Sequence, residues 1–257
     1  MDTIFSDIIS PPLIQFDVGS NAQRFTVHSL ALSCLSQPLD ALINGAMREG
    51  REHLAVWDDM EPAVFTLLVQ YAYSGIFSFL NRELTIRNLR DAKQAWKDKK
   101  SQTVGCEGII NFDSLFTDYV ESCGSKDFPQ SDQVRNQSYL ETAVDPDAFL
   151  LYMKLYVIAD KYLIVNLRQA ILYNTNWGLF YSLKKDILTA VKGMRLAIQY
   201  IFASTRQEDQ MRKLLALYTA RLLKCSEKNV FRDIMEESGE FSFLVAHYLQ
   251  RIMHFRR

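Results

Sequence analysis

Apolar positions near the start of the chain form three short runs. Residues 13–19 make an apolar run that ends in glycine, residues 20–23 have turn composition, and residues 24–27 make a second run. Two short runs joined by a polar turn predict a β-hairpin. The third run, at residues 54–57, predicts a further strand, and we expect Val56 to be buried in it together with its neighbours.

Helical spacing of apolar residues begins after the hairpin. Two short helices are predicted at residues 30–35 and 39–46, and Pro38 suits the first turn of the second because a first-turn N–H has no helical partner. A longer helix is predicted to start at Pro62 and to stop at Gly75. The residues expected to be buried in the last two helices are Leu39, Leu42, Ile43 and Ala46, and then Phe65, Leu68, Val69 and Ala72.

The pattern weakens between residues 82 and 144, where charged segments and segments rich in Ser, Asn and Gln follow one another. A stretch this long within a domain predicts a partly disordered insertion. Order returns at Asp145, which can cap a helix with Pro146 in its first turn. Three more amphipathic helices predict a helical C-terminal region. Their expected buried positions are Ile187, Val191, Met194, Ile198 and Ile201; Met211, Leu215, Tyr218, Leu222 and Cys225; and Phe241, Leu244, Val245, Tyr248, Leu249 and Ile252.

Composition narrows the class of protein. Of 257 residues, 48% are apolar and 23% are charged, which is typical of a globular chain. The net charge of −1 argues against a nucleic-acid binder, which must neutralise many phosphates. No apolar run approaches the length of a membrane span, and the N-terminus lacks the pattern of a signal peptide. The four cysteines are dispersed, which predicts a reducing compartment, the cytoplasm or the nucleus.

No catalytic or cofactor-binding pattern stands out, so we expect neither an enzyme nor a bound cofactor or metal. His28 lacks companions at the spacing that metal ligands need. Cys34 falls in an apolar helix and is expected to be a small buried side chain rather than a reactive thiol. Asp58, Asp59 and Glu61 are expected to favour the positive end of the helix that follows them.

Five motifs, taken in their order along the chain, resemble those of BTB/POZ domains. The chain has F-x-V-H at residues 25–28, and S-x-P-L-D-x-L-x-N-G-x-M-x-E at residues 36–49. It continues with V-W-D-D at residues 56–59, Y-x-G at residues 73–75, and Y-x-x-A-D-K-Y at residues 156–162. The resemblance is closest to a fungal subgroup whose members have a BTB domain without kelch repeats, a MATH domain or zinc fingers.

The resemblance implies an α+β BTB/POZ fold, a small mixed sheet flanked by short helices, followed by a helical C-terminal extension. It implies a BTB/POZ domain at residues 13–172, interrupted by the insertion at about 82–144, and a helical region at residues 173–257. It also implies that His28 is structural and satisfied by hydrogen bonding. The positions that carry the fold signature are Phe25, Val27, His28, Asp40, Gly45, Tyr73, Gly75, Ala159, Asp160 and Tyr162.

Two interpretations stay open for Met47 and Glu49. In cullin-binding members of the family, an apolar residue and a glutamate two positions later contact the cullin scaffold. In this chain the pair would be Met47 and Glu49, with the apolar side chain as anchor and the carboxylate fixing orientation. The alternative is that Met47 closes the core and Glu49 is a solvated loop residue.

The function that the resemblance implies is a protein–protein interaction module that acts as a scaffold or adaptor. Its partners would be proteins, including a second copy bound through the N-terminal strand and first helix. A substrate adaptor of a cullin-RING ubiquitin ligase is the alternative. A transcription-associated BTB factor is less favoured because no DNA-binding element follows the module. An enzyme would need a convergent polar site that the residue spacing does not offer.

Overall fold

The computed structural model describes residues 12–75, 145–185, 187–225 and 231–254. The insertion that the sequence predicts at about 82–144 lies outside these residues. Of the helices predicted for the C-terminal region, the side chains of Ile187 and Cys225 also lie outside the described part.

Three strands form one small mixed sheet. β1 (Leu13–Val18) pairs antiparallel with β2 (Gln23–His28), and β3 (Leu54–Trp57) pairs parallel with β1 on its other side, giving the order β2-β1-β3. The turn between β1 and β2 uses the left-handed region at Gly19, where φ is 76°. The predicted hairpin and the mixed sheet of the BTB/POZ fold are confirmed.

One face of the sheet carries the core of this part of the molecule. Phe16, Trp57 and Phe65 meet with ring centroids 4.9 to 5.7 Å apart, in the tilted and edge-on geometries that aromatic rings prefer. Val56 points to the other face and is 61% exposed, so the prediction that it is buried is wrong. Alternation explains the error: side chains next to each other on a strand point to opposite faces. The buried strand residues are Ile14, Phe16, Val18, Val27, Ala55 and Trp57.

Three short helices follow the hairpin: α1 (Ser29–Ser33), α2 (Gln37–Asn44) and, before β3, α3 (Arg48–Glu52). Ser36 caps α2, because its hydroxyl accepts a hydrogen bond from the backbone N–H of Leu39 at 3.4 Å. Leu39 and Ile43 are buried as predicted, and Leu42 is half-buried. The predictions for two further residues are wrong. Ala46 is exposed because α2 ends at Asn44, and Cys34 is exposed because it lies beyond the end of α1.

The fourth helix, α4 (Pro62–Ser74), begins and ends where the sequence predicts. Its end is fixed by Gly75, which has a φ of 62° and donates its N–H to the Tyr71 carbonyl at 2.8 Å. The buried residues of this helix include positions outside the one apolar stripe that the sequence predicts. Its buried residues are Val64, Phe65, Leu67, Leu68 and Ala72, and Val69 is half-buried.

The fifth helix, α5 (Pro146–Lys161), is capped as expected by Asp145, whose carboxylate accepts a hydrogen bond from the Asp147 N–H at 3.0 Å. A tight turn with Leu163 at a φ of 54° then leads into α6 (Val165–Lys185). The residues of α5 that are buried lie on more than one side of the helix, and they are Ala148, Phe149, Tyr152, Met153, Leu155, Tyr156 and Ala159.

The remaining helices are α7 (Ile187–Ser204), α8 (Gln210–Cys225), α9 (Arg232–Glu237) and α10 (Gly239–His254). α8 is buried on nearly all sides, because Leu214, Ala216 and Thr219 are buried in addition to its predicted stripe. A helix that is buried on most sides belongs at the centre of a bundle. The helical C-terminal region of the predicted fold class is therefore confirmed.

The chain divides into two compact units. Residues 1–78 and 151–171 form the first, which we call the sheet unit, and residues 79–150 and 172–257 form the second, the bundle unit. The predicted domain boundaries, 13–172 and 173–257, stay predictions. Among the described residues, no helix has the length and apolar character needed to cross a membrane.

Candidate functional site

The corner between α2 and α3 is built on two glycines. A Cβ added at Gly45 would lie 2.0 Å from the Ala41 carbonyl oxygen, and one added at Gly50 would lie 2.2 Å from the Gly45 carbonyl oxygen. Only residues without a side chain allow the backbone to approach this closely. The two glycines therefore hold the segment between them in one tight, defined shape.

Met47 and Glu49 lie inside this corner. Met47 is 65% exposed and precedes α3, and its carbonyl accepts the N–H of Arg51 at 3.2 Å. The interpretation that Met47 closes the core is therefore wrong. Glu49 is half-buried in the first turn of α3, so it is not a loop residue either. A carboxylate in this position complements the positive end of the helix dipole. The corner presents an exposed thioether beside a partly shielded carboxylate.

His28 is joined to Tyr73 at the end of the hairpin. The backbone N–H of His28 donates to the Tyr73 hydroxyl at 3.0 Å, and the same hydroxyl lies 2.7 Å from the His28 Nδ1. These bonds tie the end of β2 to the last turn of α4. Within the described ranges, no group of three or more His, Cys, Asp or Glu side chains is arranged to hold a metal ion.

The acidic residues before α4 pair with α5. Asp59 accepts a hydrogen bond from the Lys161 ammonium at 2.9 Å, and Glu61 accepts one from Lys154. The hydrogen bond that Lys161 donates to Asp59 raises the pKa of Lys161. Glu61 is the residue that precedes α4 and makes no side-chain capping bond to it, so the expected contribution to the helix dipole stays a prediction, while ion pairs with α5 are an additional role. Asp59 and Glu61 form ion pairs with residues about a hundred positions away along the chain.

The motif at the end of α5 places each of its signature residues in a contact. Tyr162 stacks on Trp57 with ring centroids 5.0 Å apart, and burial raises the pKa of its hydroxyl. Asp160 accepts a hydrogen bond from Arg168 at 2.6 Å, and Ala159 is fully buried. The end of α5 therefore packs on the sheet within the sheet unit.

The other signature positions make contacts within the sheet unit. Phe25 is half-buried against Phe65, with ring centroids 4.9 Å apart, and Val27 is buried. Asp40 is exposed and accepts a hydrogen bond from the Asn44 side chain at 2.8 Å. Sequence reasoning missed the pairing of His28 with Tyr73, although both residues stand in its motifs.

Cys34 is the exposed cysteine of the described residues, and its surroundings determine how reactive its thiol is. Its thiol donates to the Ala31 carbonyl at 3.5 Å, and partial burial raises the thiol pKa. A raised pKa lowers the fraction of thiolate, which is the nucleophilic form. The surroundings of Cys34 therefore do not favour the thiolate.

Comparison with known protein families identifies one domain in the first half of the chain. The BTB/POZ domain family matches residues 14–103. Neither the curated proteins nor the solved structures give a match to the chain. The described part of the matched segment contains the three-stranded sheet, α1 to α4 and the Met47–Glu49 corner. The chain therefore contains a BTB/POZ domain at residues 14–103, a type of domain that mediates protein–protein interaction.

Proposed function

We propose that this protein is an adaptor that recruits a protein partner through the Met47–Glu49 corner of its BTB/POZ domain. The observation that carries the proposal is the exposure of Met47 in a corner whose backbone is fixed by Gly45 and Gly50. An exposed methionine offers adaptable apolar area, and a fixed backbone reduces the ordering that binding requires. Glu49 gives the corner a charge that orients a partner.

The partner favoured by the resemblance is a cullin scaffold, which would make the protein a substrate adaptor of a ubiquitin ligase. Binding of a purified cullin N-terminal region by the full chain tests this version. We expect Met47→Asp and Glu49→Lys each to weaken binding by at least about tenfold, as central interface residues do. Binding of equal strength by wild type and both variants, or no binding by any of the three, would refute the cullin version.

Two control variants match these changes elsewhere in the sheet unit. Leu163→Asp adds the same charge at an exposed apolar residue, and its positive φ suits aspartate. Asp58→Lys makes the same charge reversal as Glu49→Lys at an exposed residue before α4. Cullin binding by both controls at wild-type strength is the expected result. A loss in the controls equal to that in the corner variants would show that net charge, not the corner, governs binding.

We further propose that the domain self-associates through β1 and α1, as the resemblance implies. Leu13, the first residue of β1, is a large apolar side chain that is mostly exposed, which supports a contact there. Light scattering on the purified chain should give the mass of a dimer, and Leu13→Asp should shift it toward the monomer. A strict monomer at high concentration would overturn this version and leave the adaptor proposal standing.

Two broader proposals rest on the sequence alone. We place the chain in the fungal group of BTB-only proteins because residues 36–49 match every fixed position of that group's motif. We place the protein in the cytoplasm or the nucleus because its four cysteines are dispersed rather than paired by spacing. Localisation of a tagged full-length chain in cells would test the second proposal.

A further inference from the structure

One face of α10 is exposed and carries no charged residue. We call it the outer stripe, and it consists of Phe243, Ala246, His247, Gln250 and Met253. Phe243 is 71% exposed and Met253 is 57% exposed. The spacing of three and four residues puts all five on the same side of the helix. Phe241, Val245 and Tyr248 are buried on the opposite side.

An outer face of this kind is unusual for a helix at a protein surface, which normally turns charged residues toward water. The neighbouring helix α9 follows that rule, because it carries the exposed ion pair of Arg232 with Glu236 at 2.7 Å. Large exposed apolar side chains that line up on one face mark a binding surface more often than isolated ones do.

We propose that the outer stripe binds the outer stripe of a second copy of this chain, with the two α10 helices antiparallel. Phe243 and Met253 each lie five residues from Tyr248 along the helix. A two-fold axis at the level of residue 248 therefore sets Phe243 of one copy against Met253 of the other, a sulfur–aromatic contact. The same axis sets Ala246 against Gln250 of the second copy.

Charge complementarity selects the second copy and the antiparallel direction. Among the described residues, 231–242 contain one arginine and four acids, a net charge of −3, whereas 243–254 contain one arginine, Arg251, and no acid, a net charge of +1. Asp233 pairs with Arg195 and Glu240 pairs with Arg212, which reduces the net negative charge of residues 231–242. Glu237, which lies two residues before α10, stays exposed. Antiparallel helices set each acidic end beside a basic end and align their dipoles favourably. Parallel helices would set like charges together.

The contact is small. α10 has 16 residues and is therefore about 24 Å long, so two copies bury less than the roughly 1,200 Å² at which standard interfaces begin. We expect association that is weak, reversible and reduced by salt, because the end charges are exposed and are screened. A test must therefore capture contacts that form and break rather than a permanent dimer.

Disulfide capture between full-length chains provides that test. In a chain whose four native cysteines are replaced by serine, one sample carries Ala246→Cys and another carries Gln250→Cys. These positions meet across the proposed axis, whereas position 246 does not meet itself. Under mild oxidation we expect the equimolar mixture to cross-link about tenfold faster than a Leu188→Cys chain, because contact raises the effective concentration of the thiols. Leu188 is 66% exposed on α7 and reports random collision.

Three results would overturn the proposal. The first is that the mixture cross-links no faster than the Leu188→Cys chain. The second is that the Ala246→Cys chain cross-links faster alone than in the mixture. The third is that the cross-linking rate of the mixture does not fall when Phe243→Glu is added to both chains. The second of these outcomes would indicate parallel helices, and the first would leave the stripe for a different protein. Adding Leu13→Asp should leave the cross-linking rate between α10 helices unchanged, so this test is independent of self-association through the BTB/POZ domain.

Discussion

The sheet unit and the bundle unit use polar side chains in opposite ways. In the sheet unit the ion pair of Lys161 with Asp59 is exposed, and it joins segments that are far apart in sequence. In the bundle unit the main polar group is inside: Arg212 is 4% exposed. It donates to the carbonyls of Phe202 and Thr205, to the Thr205 hydroxyl and to Glu240.

This difference determines what each polar residue contributes to stability. An exposed ion pair gains little because water solvates its partners equally well when they are apart. A buried guanidinium must keep all its partners, since any group left behind is desolvated and unpaired. We therefore expect the sheet unit to tolerate loss of its ion pairs and the bundle unit to be sensitive to loss of one buried residue.

Arg212→Ala should have the largest effect. It removes the bonds to the end of α7 and to Glu240, and we expect a loss of about 3–5 kcal/mol in the free energy of unfolding. Urea unfolding followed by circular dichroism would measure it. Arg232→Ala is the matched control, because Arg232 forms an exposed pair with Glu236 and should contribute at most about 1 kcal/mol. Equal losses in the two variants would break the comparison between buried and exposed polar groups.

Gly50→Ala should have the next largest effect, and it acts on the candidate site. The new Cβ would lie 2.2 Å from the Gly45 carbonyl oxygen, so the backbone of the corner must move. We expect a loss of about 1–3 kcal/mol, the range for forced overpacking, together with weaker cullin binding if the corner binds a cullin. Gly239→Ala is the control, because no atom lies within 4 Å of its added Cβ. An unchanged melting temperature in Gly50→Ala would show that the corner is not held by this contact.

Much of the fold could be predicted because its signals are local. The hairpin, the first-turn position of Pro38 in α2, the capping of α5 by Asp145 and the end of α4 at Gly75 each depend on a few neighbouring residues. Val56 was misplaced because a short apolar run does not show which face of its strand is buried. Residues near such a run must be assigned to faces by alternation, not by polarity alone.

The polar contacts between distant segments could not be predicted, because the residues near one partner do not indicate the other. Glu61 stands at the start of α4, as its local sequence indicates, but nothing near it in sequence indicates its ion pair with Lys154, 93 positions away. The exposure of Met47 was also hidden, since an apolar residue after a helix is equally consistent with core and surface. In the structure the preceding helix, α2, already ends at Asn44, so Met47 lies beyond its buried face and is 65% exposed.

Removal of single hydroxyl groups compares the two units again. We expect losses of stability between those of Gly50→Ala and those of a surface ion pair. The Tyr218 hydroxyl is buried and donates to Asn176 at 2.8 Å, whereas the Tyr73 hydroxyl is only part-buried where it meets His28. We expect Tyr218→Phe to cost about 1–3 kcal/mol, because Asn176 loses a buried partner, and Tyr73→Phe to cost about 1 kcal/mol. Thermal unfolding of both variants would measure the difference. A larger loss in Tyr73→Phe would reverse the order expected of the two units.

The smallest effect is expected where α5 is joined to the segment before α4. Lys161→Ala removes the ion pair with Asp59, and we expect a loss of at most about 1 kcal/mol, because both side chains are substantially exposed. The packing of α5 should persist, since Tyr156 and Ala159 are buried and Tyr162 stacks on Trp57. A double-mutant cycle with Asp59→Ala, repeated at low and high salt, would isolate the pair. A coupling energy near zero at high salt fits a surface contact, whereas several kcal/mol that persist in salt would mean that the sheet unit also depends on its ion pairs.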